Sequence, residues 1–104
     1  MKVINLGRGQ GKTIRLLYAS EWQDIPILCA TYEQKRHLLH MAHSLGLGIP
    51  DPIVASDLTC ETIRSSGIKD KDVLVDEVHW VLQRLLNSMG MTGEIKAITL
   101  SEKE

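Results

Sequence analysis

The sequence predicts an α/β fold: a three-layer parallel sheet of about five strands with helices on both faces. Two observations carry that expectation. Apolar runs of strand length alternate with segments of helical period along the whole chain. The runs are also nearly continuous, as in parallel strands buried on both sides, rather than alternating apolar with polar. At 104 residues the chain is expected to form one minimal domain, 1–104. No repeat, low-complexity segment or linker interrupts it.

The first expected strand is 2–6, followed by a glycine-rich turn and a helix from Thr13 to about Ser20 with Ile14, Leu17 and Tyr18 on one face. Glu21 to Asp24 reads as a turn. A second strand spans Ile25 to Ala30, with Pro26 tolerable only at its start or on an edge. A helix from about Tyr32 to Leu45 places Leu38, Met41, Ala42 and Leu45 on one stripe and ends at Gly46-Leu47-Gly48. Ile53-Val54-Ala55 is a third strand. Ser56 or Asp57 then caps a short helix that ends near Ser65-Ser66-Gly67. Val73 to Glu77 is a fourth strand ending in two carboxylates. The helix over roughly 78–89 has the cleanest pattern, with Val78, Val81, Leu82, Leu85, Leu86 and Met89 on one face. Ile95 to Leu100 is the last strand, and 101–104 a charged tail.

Composition narrows the function classes. Twelve basic and thirteen acidic side chains give a net charge of −1, so no global field favours nucleic acid or membrane. The two cysteines, Cys29 and Cys60, lack C-x-x-C or zinc spacing and read as reduced thiols. No apolar run reaches the length of a membrane span or a signal peptide. The expectation is a cytoplasmic protein without membrane association.

Chemistry concentrates in two places. Leu6-Gly7-Arg8-Gly9-Gln10-Gly11-Lys12-Thr13 lies between a strand and a helix. The same glycines could serve an ordinary turn, but G-x-G-K-T in that position is a phosphate cradle. Its backbone N–H groups and the helix N-terminus face the anion, Lys12 reaches the β- and γ-phosphates, and Thr13 can hold Mg²⁺. Asp76 and Glu77 follow an apolar strand. They could simply cap a helix; beside a glycine loop they also fit Mg²⁺ binding by Asp76 and polarisation of water by Glu77. Both motifs fall at strand C-terminal ends, the edge where open α/β sheets bind ligands.

At these residues the chain resembles the P-loop NTPases, in the RecA- and helicase-like division with a catalytic glutamate directly after the Mg²⁺-binding aspartate. Leu6 to Thr13 fits the helicase-like loop A-x-x-G-x-G-K-[ST] with Leu6 in place of Ala. Gly-Arg-Gly-Gln-Gly-Lys-Thr also looks like the loop of phage DNA-packaging ATPases. The resemblance implies a minimal phage-type ATPase core that hydrolyses ATP with Mg²⁺. Nucleotide would be bound by Gly7, Arg8, Gly9, Gln10, Gly11, Lys12, Thr13 and Ile14, and the metal by Thr13 and Asp76. Glu77, Lys12 and Arg8 would be catalytic, Arg8 as an arginine acting in cis on the γ-phosphate. Thr99 or Ser101, at the tip of the last strand, would sense that phosphate. An extra strand is expected between those carrying the loop and the Asp-Glu pair. The second domain of helicases and motors is not expected in this chain. A homo-oligomer or protein partner would therefore complete the site, with Arg64 and Arg84 the candidates by type for a finger in trans. DNA or RNA is a candidate partner.

Other features carry a bland reading beside a sharper one. His37, His40 and His43 fit a solvated helix face better than a metal site. Lys35-Arg36 could touch nucleic acid. Trp22 and Trp80 read first as packing residues, with Trp80, just off its helix's apolar stripe, the better candidate for a contact surface. Two alternatives to hydrolysis remain: a nucleotide-binding interaction module without turnover, and a nucleotide kinase, for which no arginine-rich lid is evident.

Overall fold

The computed structural model describes residues 11–66 and 70–97. In chain order they form α1 (Lys12–Gln23), β1 (Ile27–Cys29), α2 (Tyr32–Ser44), β2 (Ile53–Val54), a 3₁₀ turn (Ala55–Asp57), α3 (Cys60–Ser66), β3 (Leu74–Val75) and α4 (Val78–Ser88). The three strands make one parallel sheet in the order β2-β1-β3. Leu28 lies opposite Ile53 on one side and Val75 on the other.

This corrects the expected architecture. Among the described residues a three-stranded sheet with four helices stands in place of a five-stranded, three-layer core. The expected strand 2–6 lies outside the described residues, as do 98–100 of the last one. Ile95 to Ala97 are described and are not a strand, since the Ile95 N–H is spent on the Gln83 side chain at 2.8 Å. The expected extra strand was placed relative to strand 2–6, so that expectation lies outside the described residues.

The three strands are short for identifiable reasons. The Ile25 N–H donates back to Ser20 O at 3.2 Å and Pro26 has no N–H, so the ladder of β1 begins at Ile27. β2 stops where Ala55 enters the 3₁₀ turn and accepts the Leu58 N–H at 3.1 Å. β3 stops at Val75 because Glu77 adopts a left-handed backbone, φ 57° and ψ 65°.

Alternation along β1 divides the core. Ile27 and Cys29 pack with Leu17 of α1, Leu38 and Ala42 of α2, and Val54. Leu28 and Ala30 instead join Ala55, with Val81 and Leu85 from α4. All three residues of β1 are buried, which explains their continuous apolar character.

Helix ends follow local chemistry. α2 is capped by Thr31, whose hydroxyl accepts the Gln34 N–H at 3.1 Å. α1 runs one turn past Ser20, absorbing the expected turn at Glu21 to Gln23, and ends at Asp24 in left-handed geometry, φ 56°. Ser20, fully buried, donates its hydroxyl to Ile25 O at 2.6 Å and fixes the passage into β1. The expected caps Ser56 and Asp57 lie in the 3₁₀ turn instead. Thr59 accepts the Thr62 N–H at 3.1 Å at the start of α3.

The apolar stripe of α4 is less buried than its pattern suggests. Val81 is buried and Leu85 and Leu86 are half-buried, while Val78, Leu82 and Met89 are exposed. Ile14 and Tyr18 of α1 are likewise exposed beside buried Leu17. No helix among the described residues is long and apolar enough to cross a membrane.

Candidate functional site

Gly11 sits immediately before α1 with φ 79°, a backbone conformation that favours glycine, and accepts the Arg15 N–H at 3.0 Å. Lys12 and Thr13 open the helix, so their side chains start from its positive dipole end. α4 begins in the same region of space, one residue past Asp76 and Glu77.

The two ends meet. Lys12 Nζ lies 3.1 Å from Glu77 Oε1, with the two side chains 35% and 36% exposed. The pairing joins the start of the first described helix to the end of β3, which sequence motifs alone could only place on a common edge. Glu77 reaches Lys12 from its left-handed backbone, and no side-chain hydrogen bond caps α4 there.

Asp76 is different in kind. Its residue is only 7% exposed, and its backbone N–H is held by Leu28 O at 3.1 Å. Its carboxylate has no hydrogen-bond or ion-pair partner among the described residues. Burial pushes the Asp76 carboxyl above its ordinary value and the charge of Glu77 adds to this, while Lys12 and His37 pull it back. No side-chain polar atom among the described residues is both fully buried and unpartnered, so the Asp76 carboxylate oxygens keep access to solvent, where a hard cation could reach them. Mg²⁺ takes one or two carboxylates and completes its shell with water and phosphate oxygens. Thr13, the other residue the sequence offers for Mg²⁺, stands in the first turn of α1 beside Lys12. No cluster of three or more acidic, histidine or cysteine ligands occurs among the described residues.

Of the sequence candidates, the structure brings Lys12, Asp76 and Glu77 together at the sheet's C-terminal edge, with Gly11, Thr13 and Ile14 on the same helix start. Gly7, Arg8, Gly9 and Gln10 lie outside the described residues, as do the two sensor candidates Thr99 and Ser101. Arg64, on α3, and Arg84, on α4, are both exposed.

Two features were not legible beforehand. His37, read as part of a solvated face, acts electrostatically on Asp76. A cavity of about 770 Å³ lies between the start of α2 and α4, with Trp80 and Arg84 on one wall and Glu33 and His37 on the other. Only the position of Trp80 off the apolar stripe hinted at it.

Cys29 is buried under the same sheet edge, its thiol donating toward Ile53 O at 3.5 Å. Burial, with the charge of Asp76, raises that thiol above its ordinary value. It is a packing residue.

Comparison with known protein families, with curated proteins and with solved structures finds no match for this chain.

Proposed function

We propose that this chain binds ATP with Mg²⁺ and hydrolyses the β–γ bond. The observation that carries the reading is the convergence of Lys12 and Glu77, 3.1 Å apart, beside the carboxylate of Asp76, a residue only 7% exposed. The Gly11-Lys12-Thr13 helix start supports it, because backbone N–H groups and the dipole favour phosphate there.

In the mechanism this implies, the β- and γ-phosphates settle on the N-terminus of α1 and draw the Lys12 ammonium away from Glu77. Mg²⁺, held by Asp76 and the Thr13 hydroxyl, would neutralise charge on the phosphate oxygens. Glu77, freed of its ion pair, accepts a proton from the water that attacks the γ-phosphorus in line. The leaving oxygen of ADP departs on the opposite side. Arg8 would add charge at the γ-phosphate, by the resemblance of its loop. That resemblance also supports a phage-type, DNA-related role in the cytoplasm, with an oligomer or partner completing the site.

The engagement of Glu77 by Lys12 favours one further reading, a nucleotide-responsive interaction module without turnover. Phosphate release separates the two. Mg²⁺-dependent release by the wild-type chain, lost in both Lys12→Ala and Asp76→Asn, supports hydrolysis. Tight ATP binding with no release, alone and with DNA or RNA, selects the module.

A further inference from the structure

The groove between α2 and α4 adjoins the phosphate site, the Trp80 N–H donating to Glu77 O at 3.0 Å and His37 acting on Asp76, but its lining side chains are other than Lys12, Asp76 and Glu77. Its walls are held by committed hydrogen bonds. Gln34 accepts the Ala30 N–H at 2.8 Å, and its own N–H is taken by the Thr31 cap. Gln83 donates to Gly93 O at 2.9 Å and Asn87 Oδ1 at 3.1 Å, and accepts the Ile95 N–H at 2.8 Å. A groove with fixed walls does not lose order when filled.

The remaining groups have no hydrogen-bond or ion-pair partner among the described residues: the Arg84 guanidinium, the His37 imidazole, the Glu33 carboxylate and the Trp80 indole. Trp80 is 56% exposed, so its ring offers a face rather than filling the core. A flat aromatic face beside a guanidinium, in about 770 Å³, suits a planar heterocycle that carries an anion. Glu33 repels the anion from its own end and directs it toward Arg84.

The occupant's length is suggested by α2. Arg36, His37 and His40 fall on one exposed stripe of that helix, leading away from the groove. Lys35, by contrast, is tied to Asp51 at 3.0 Å. Cationic and imidazole groups continuing past the aromatic site suit a ligand with repeated phosphates, not a single nucleotide.

We infer that the α2–α4 groove takes a base of single-stranded nucleic acid, stacked on Trp80, with its phosphate on Arg84. The inference extends the DNA-related reading above but stands on separate residues. Its test therefore reads binding alone.

The experiment is fluorescence anisotropy with a dye-labelled single-stranded oligothymidine at low salt, without ATP. Saturable binding is expected, weakened about tenfold or more by Trp80→Ala. Arg84→Glu, a change at an exposed position, should weaken it comparably and carries the test if Trp80→Ala does not fold. Trp22→Ala, at a tryptophan 89% exposed on α1, should leave it unchanged. Four results overturn the inference: no binding, equal loss in Trp22→Ala, loss in Lys12→Ala equal to that in Trp80→Ala, or equal affinity for free thymidine monophosphate. Phosphate release without oligonucleotide binding removes the groove and leaves the hydrolase. Binding through Trp80 and Arg84 without phosphate release keeps the groove and removes hydrolysis.

Discussion

Replacing Glu77 by Gln should separate binding from turnover in opposite directions. The variant keeps the side chain's shape but removes the charge that holds Lys12 at 3.1 Å. Both partners are about one-third exposed, so the pair is screened and contributes about 1 kcal/mol or less. An incoming phosphate must break that pair. Removing it should therefore tighten binding of ADP or a non-hydrolysable ATP analogue by up to about fivefold, since 1.36 kcal/mol is a factor of ten. The gain should shrink as salt is raised, because exposed charges are screened. Turnover should fall by about a hundredfold or more with the loss of the group that accepts water's proton. Calorimetric titration gives the first quantity and a phosphate-release assay the second. Weaker nucleotide binding by Glu77→Gln, or turnover at the wild-type rate, would refute the reasoning.

Three further outcomes follow from the packing around the site. Burial raises the Asp76 carboxyl above its ordinary 3.8, so the folded state keeps its proton to higher pH than the unfolded chain. Its contribution to stability is fully present below that value and is lost as pH rises through the raised one. Asp76→Asn should remove this step and, without Mg²⁺, stabilise the protein at neutral pH, read from urea melts across pH. In native protein one thiol, the exposed Cys60, should react promptly with a disulfide reagent, and buried Cys29 only on unfolding; prompt reaction of both would contradict the packing. Ser20→Ala removes a buried 2.6 Å bond at the turn into β1 and should cost about 1–2 kcal/mol in the same melts.

What the sequence disclosed was governed by local chemistry. The helices starting at Tyr32 and Val78 lie within a residue of their expected bounds, because Thr31 caps one and Glu77 turns the chain into the other. Strand extents are not legible in the sequence because apolar character does not report where backbone groups bond. Ile25 looks like strand, yet its N–H belongs to the end of α1. Ile95 looks like strand, yet a glutamine side chain holds its N–H. Pattern likewise could not say that Val78 and Leu82 of a six-residue apolar stripe stand exposed, since periodicity names a face and not what covers it. Motif spacing placed Lys12 and Asp76-Glu77 on one edge of the sheet. Their ion pair, the burial of Asp76 and the groove beside Trp80 depend on tertiary packing that spacing does not encode.

The central claim is that Lys12, Asp76 and Glu77 form a site for Mg²⁺ and a nucleoside triphosphate. Calorimetric titration of a non-hydrolysable ATP analogue, with Mg²⁺ and then with chelator, tests it most directly. One molecule should bind per chain with Mg²⁺, more weakly in chelator, and undetectably in Lys12→Ala. No binding by the wild-type chain, or binding indifferent to both Mg²⁺ and Lys12, would contradict the account.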